Sequence, residues 1–123
     1  MKKIVILITA VFCLLSALPV YAEFKQPPIT DLAGYLTEEQ NEELTARLNS
    51  IREKYSFDVA FVSEKSLSAV DAQASADDIY DYNGYGYGEN YDGILFYIAD
   101  YERKYHFSTC GSGETIFNEN GLA

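Results

Sequence analysis

Apolar positions along the chain recur with periods that name the elements. Leu44, Leu48, Ile51 and Tyr55 fall at i, i+4, i+7 and i+11, a single helical stripe with polar residues between. The start is written just upstream. Thr37 and Gln40 have capping-box spacing, in which each side chain satisfies the other residue's backbone N–H. Glu38 and Glu39 put negative charge in the first turn, where the helix dipole favours it. The pattern predicts a helix over 38–55. Next comes FDVAFVS (57–63), nearly all apolar after Asp58 and rich in aromatic and β-branched residues, as in a strand covered on both faces. A weaker helical stripe of Ala69, Ala72, Ala76, Ile79 and Asn83, with Val70 beside it, predicts a second helix over 69–82, stopped by Asn83-Gly84.

The strongest strand in the chain is GILFYIAD (93–100). A tight turn at ADYER leads to KYHFSTC (104–110), which alternates: Tyr105, Phe107 and Thr109 on one face, His106 and Ser108 on the other. This is a hairpin. Helix, strand, helix, strand, strand implies an α/β fold. We expect a three-layer α/β/α sandwich with a mixed sheet, two parallel strands joined through a right-handed crossover helix, then an antiparallel hairpin strand. Such a sheet needs both faces covered, and three strands with two helices leave a thin core. The last residues, GSGETIFNENGLA, stop where a further helix could begin. The expectation is a domain incomplete at its C-terminus, over residues 31–123.

The front of the chain changes the picture of its location. MKK, then the 15-residue apolar run IVILITAVFCLLSAL, then small residues at Val20 and Ala22, resembles a secretory signal peptide over 1–22. The run is short for a membrane span, which needs about 20 residues. Residues 23–30, with Pro27 and Pro28, read as a linker. The expected location is extracytoplasmic, associated with the cell envelope. Removing the leader removes Lys2 and Lys3 and no acid, so the formal charge moves from −10 to −12. Nucleic acid and anionic membrane surfaces are therefore poor partners, and cations good ones. Cys110 is the one cysteine left beyond the leader, which excludes an intramolecular disulfide there. It reads as a small, half-buried residue at a strand end, despite His106 nearby in sequence.

The loop GYGYGENYDG is where the candidate chemistry lies. Its glycines follow a helix and precede a strand, the reverse of a dinucleotide fingerprint, and no Lys-Ser or Lys-Thr pair follows. Tyr80, Tyr82, Tyr85, Tyr87 and Tyr91 either pack on the sheet or meet a protein partner, with Tyr85 and Tyr87 the candidates for contact. Hairpin geometry returns Gly111 to Glu114 to the sheet end where Asp92 opens its strand. Asp92, Glu114, Asn90 and loop carbonyls then form an oxygen-rich pocket suited to calcium. The alternative is that Asp92 caps a turn and Glu114 satisfies loop N–H groups. Glu64, Asp71 and Asp100, at the opposite end, read as solvated surface.

Two ordered motifs carry a family resemblance. TDLAGYLTEEQNEEL (30–44), through Asp31, Ala33, Gly34, Leu36 and Thr37, resembles the opening of the TPM domain family. The second motif spans 83–114, through Gly86, Gly88, Asp92, Gly93, Arg103, Gly111, Gly113 and Glu114. The resemblance implies an exported or membrane-tethered α/β/α domain. Some members bind calcium near acidic loops, and a plant lumenal member has been assigned acid phosphatase activity. It also adds Asp31 as a metal ligand, on resemblance alone, since the segment before the first helix could lie at either end of the sheet. Tyr91 stands where the family often has an acid, and Asp92 where it often has Asn. The leading expectation is a calcium-binding envelope domain with a scaffolding or quality-control role. The alternatives are a metal-assisted phosphatase with unknown catalytic residues, and a non-catalytic interaction module using the tyrosine loop.

Overall fold

The computed structural model describes residues 26–118. The leader, and the linker up to residue 25, lie outside the described residues. Seven elements follow in order: β1 (Ile29–Asp31), α1 (Glu38–Tyr55), β2 (Asp58–Glu64), α2 (Ala72–Tyr82), β3 (Gly93–Ala99), β4 (Lys104–Cys110) and α3 (Ser112–Ile116). The strands form one mixed sheet in the order β1-β2-β3-β4. β1, β2 and β3 are parallel, and β4 returns antiparallel to β3. The fold is α/β, as the pattern of elements predicts.

Beyond one-residue differences at the ends of β2 and β3, three features differ from the sequence reading: an added strand at the front, a later start of the second helix, and α3, a short helix that the sequence pattern does not predict. Residues 29 and 30, read as linker, open a fourth strand. With Asp31 they pair with Phe61–Ser63, and the Pro28 carbonyl accepts the Phe61 N–H at 2.8 Å. A three-residue strand directly after Pro27-Pro28 is too short to show alternation, and its sheet partner lies more than thirty residues away. The second helix starts at Ala72 rather than 69. Asp71, extended at φ −152°, caps it by accepting the Ala74 N–H at 2.7 Å, while the Ala69 N–H goes to Ser75 Oγ. The first helix matches its expected span, and its Thr37/Gln40 capping box is complete.

One face of the sheet is sealed. Ala60 and Val62 of β2 and Leu95, Tyr97 and Ala99 of β3 point to it, covered by Ala76 and Tyr80 of α2 and by Tyr85 of the following loop. Leu95, Tyr97 and Ala99 are wholly inaccessible. Burying a side chain such as Leu95 stabilises by about 2–3 kcal/mol. The other face of β3 and β4 carries a ladder of rings. Phe96 stacks on Phe107 at 4.6 Å and meets Phe61 and Tyr105 at 5.8 and 6.1 Å. Tyr105 and Phe107 remain exposed. α2 lies against β3 and β4, and α1 against β1 and β2. Among the described residues no helix is long and apolar enough to cross a membrane.

Candidate functional site

The sheet brings three loops together at one end, where β2 and β3 begin and β4 finishes. Asp58 pairs with Gly93, and Gly93 with Cys110. Tyr87 and Asp92 exchange backbone hydrogen bonds at 2.9 and 3.0 Å, closing a small hairpin whose tip is Gly88–Tyr91. Tyr91 adopts φ +53° there. Its carbonyl accepts the Tyr80 hydroxyl at 2.7 Å, which ties the hairpin to α2. Burial, with the nearby Cys110, Asp58 and Asp92, pushes the Tyr80 hydroxyl's pKa well above its ordinary value.

Asp58 organises this end. One carboxylate oxygen pairs with Arg52 Nη1 at 2.6 Å, and the other accepts the Gly86 N–H at 3.0 Å. Both side chains are largely buried. Arg52 also lies over the Tyr87 ring, 5.0 Å from its centre. Neither Asp58 nor Arg52 stood out in sequence. The one signal was an acid opening an otherwise apolar strand, six residues after a helical arginine.

The return of β4 brings Gly111 and Ser112 against Asp92 and Asn90, as the hairpin geometry requires. Asp92 Oδ1 accepts the Ser112 N–H at 2.7 Å, so the carboxylate holds the first residue of α3. Gly111, at φ +58°, passes so close that a Cβ there would overlap Asp92 Oδ1 and sit 2.7 Å from the Asn90 carbonyl oxygen. Only glycine fits this backbone conformation and this space. The Asp92 carboxylate oxygen and the Asn90 carbonyl oxygen thus both pack closely against Gly111. Glu114 lies exposed in the first turn of α3, two residues beyond Ser112, and its N–H bonds the Gly111 carbonyl at 3.2 Å. Gly113 packs its Cα against the Gly93 carbonyl, where any Cβ would overlap. The Gly-x-Gly-x-Glu spacing is therefore a close-packing device as well as a means of placing an acid.

Asp31 lies at the other end of the sheet. It pairs with Ser63, and Ser63 with Ile98, five positions along β3 from Gly93. At about 3.3 Å per residue that is roughly 16 Å from the Asp92 end. The four proposed ligands therefore do not form one site. Asp31's oxygens are also occupied: Oδ1 accepts Tyr35 N–H at 3.1 Å and the Ser63 hydroxyl at 2.5 Å, and Oδ2 accepts Leu36 N–H at 2.7 Å. Burial opposes its ionisation. The hydrogen bonds from Ser63 and the backbone outweigh that and bring its pKa below the usual 3.8.

The other acids at that end are engaged too. Asp100 accepts the Tyr35 hydroxyl at 2.6 Å, Glu64 accepts the Tyr97 hydroxyl at 3.0 Å, and Asp71 caps α2. Among the described residues no group of three or more His, Cys, Asp or Glu side chains is arranged to hold a metal. Calcium at the Asp92 end would thus draw on carbonyl oxygens and water beside one or two carboxylates.

The tyrosines divide. Tyr85 is 4% exposed, packed on Tyr80 with ring centres 6.3 Å apart. Burial raises its pKa, against a hydrogen bond with Thr30 that lowers it. Tyr85 is a core residue and is not placed to meet a partner. Tyr82 and Tyr91 are the exposed rings. With Tyr87, Arg52 and the loop glycines they line a cavity of about 930 Å³. Cys110 is a half-buried free thiol with Sγ 3.7 Å from the Asn90 carbonyl oxygen. His106 stands four positions away on β4, paired in register with Tyr97 rather than beside Cys110.

These features define a small α/β domain with a mixed four-stranded sheet and a glycine-rich, tyrosine-lined loop at one end. The chain belongs to the TPM domain family, whose model matches residues 29–122. Two solved structures share the fold. The N-terminal domain of a protein from P. gingivalis is 25% identical with a TM-score of 0.67, covering 78% of this chain and 61% of that one. The N-terminal domain of a protein from Corynebacterium glutamicum is 20% identical with a TM-score of 0.58, covering 84% of this chain and 64% of that one. The chain thus spans less than two thirds of either. No curated protein matches.

Proposed function

We propose that this TPM domain works outside the cytoplasm as a calcium-binding module of the cell envelope, with a scaffolding or quality-control role. The ion would be held by the Asp92 carboxylate and the Asn90 carbonyl, with Glu114 and water completing the shell. The observation that supports the reading is that the Asp92 carboxylate and the Asn90 backbone carbonyl both border Gly111, so two hard oxygens stand near one another at this end of the sheet. Hard oxygen donors of mixed charge are what calcium takes, and sites with few carboxylates bind it weakly, with Kd on the order of 10⁻⁴–10⁻³ M in extracellular modules. The strongly negative chain supports a cation over an anion. Asp31 is left out of the ligand set because it lies at the opposite end of the sheet from Asp92.

Calorimetry with calcium on the full chain tests the proposal. One weak site should appear, Asp92→Asn and Glu114→Gln should each weaken it, and Asp31→Asn should leave it unchanged. Wild-type affinity in both the Asp92 and Glu114 variants would end the reading. The phosphatase alternative gains no support of its own, since Arg103 sits in the β3–β4 turn, at the opposite end of the sheet from Asp92.

A further inference from the structure

α2 ends on a side-chain amide with a glycine beside it. Asn83 is the C-cap, and its backbone N–H and its Nδ2 both donate to the Ile79 carbonyl, at 3.2 and 2.9 Å. Gly84 follows at φ +70°, with open space where a Cβ would stand. Both residues are exposed, and the Gly84 N–H has no hydrogen-bond partner among the described residues. A main-chain nitrogen in this position is a nucleophile toward the side-chain carbonyl of the asparagine before it. Closure forms a five-membered imide, and glycine, lacking Cβ, gives it the least steric resistance.

The step needs only water. Hydroxide takes the Gly84 N–H proton, and the nitrogen bonds Asn83 Cγ. The Cγ–Nδ2 bond breaks, and Nδ2 leaves as ammonia with a proton from water. Water then opens the imide at either carbonyl, leaving aspartate or isoaspartate, with nothing oxidised or reduced. The fold sets when this happens. At ψ 3° the Gly84 nitrogen eclipses the nitrogen of Asn83 rather than its Cβ, so closure waits until the last turn of α2 opens. The product cannot restore the cap. A carboxylate has no proton for the Ile79 carbonyl, and it adds negative charge at the end of the helix where the dipole is already negative. Isoaspartate also lengthens the main chain just before Tyr85, a core residue whose N–H bonds the Tyr80 carbonyl at 3.2 Å.

We propose that Asn83 is a site of spontaneous deamidation, and that its product unfastens the end of α2 from the glycine loop. The change is independent of calcium and marks the age of the chain at the loop that carries the candidate cation ligands. The test ages the full chain in mildly alkaline buffer with EDTA at body temperature. Tandem mass spectrometry locates each converted asparagine, and hydrogen exchange reads the folded protein. The chain's other Asn-Gly pair, Asn120-Gly121, lies outside the described residues, and peptide mapping keeps the two apart. Asn83 should convert at least about tenfold faster than Asn90, which is also exposed but precedes the bulky Tyr91. Aged protein should lose protection at the Asn83 and Tyr85 amides. Asn83→Gln, whose ring would be six-membered and slow to close, should keep it through the same ageing. Asn83→Asp should show part of the loss without ageing. Conversion of Asn83 no faster than that of Asn90 would overturn the assignment of the site. Conversion that leaves both amides as protected as before, or an equal loss in aged Asn83→Gln, would overturn the uncapping.

Discussion

At the residue scale, the two ion pairs among the described residues separate exposure from consequence. Glu43–Arg47 and Asp58–Arg52 have the same 2.6 Å separation, but the first is more than 60% exposed on both sides, while the second is 16% and 13% exposed. Water screens the first, and it contributes at most about 0.5 kcal/mol. Removing Asp58 would strand a buried guanidinium that already lacks one partner, and would also release the Gly86 N–H. Asp58→Ala should therefore lower unfolding free energy by about 3–5 kcal/mol, against about 0.5 kcal/mol or less for Glu43→Ala. Urea denaturation of both variants measures the difference. A cost for Asp58→Ala no larger than for Glu43→Ala would mean that the buried pair does not organise the loop. The pair was not legible in the sequence because helix and strand periodicity locate faces, and neither residue belongs to an apolar face. The inward turn of Tyr85 was hidden for a related reason. The glycines on either side of it allow both directions, and only the Thr30 and Tyr80 contacts choose one.

At the scale of elements, much of the order was written locally. The capping box fixed the start of α1, apolar runs fixed β2 and β3, and alternation fixed β4. What escaped were the short α3 and β1, whose strand character comes from its neighbour. Asp31 links that strand to the helix after it, by holding the Tyr35 and Leu36 N–H groups and the Ser63 hydroxyl. The resemblance made Asp31 a ligand, whereas its bonds make it a staple. A staple of this kind has a pH signature. The folded-state pKa lies below the ordinary 3.8. Its stabilisation is thus complete above that value and is lost as pH falls through the lower folded value. Asp31→Asn should lower stability at neutral pH and flatten its decline as pH falls below the ordinary 3.8. Paired urea titrations across that range read both effects. An equally steep acid decline in the variant would assign the loss to other carboxylates.

Over the whole molecule, the sealed core and the candidate sites share one sheet. The interior of β2 and β3 on the α2 side is sealed, and it is held at one end by Tyr80, Tyr85 and the Asp58–Arg52 pair. The candidate cation cradle and the tyrosine cavity both stand at that end, so the loop that carries them is anchored through core tyrosines rather than hanging free. Its neighbour face on β3 and β4 differs, because stacked rings there stay partly open to solvent. The two faces should respond differently to truncation. Leu95 is fully buried, and Leu95→Ala should cost about 3–4 kcal/mol through lost burial and the cavity left behind. Phe107 is 37% exposed and stacks mainly on Phe96, so Phe107→Thr should cost about 1 kcal/mol. That second change should also reduce binding of a hydrophobic dye to the native protein, because it removes an accessible ring from the ladder. Equal costs for the two variants, with dye binding unchanged, would mean that the ring ladder is covered in solution as thoroughly as the α2 face, and that the sheet carries two cores rather than one.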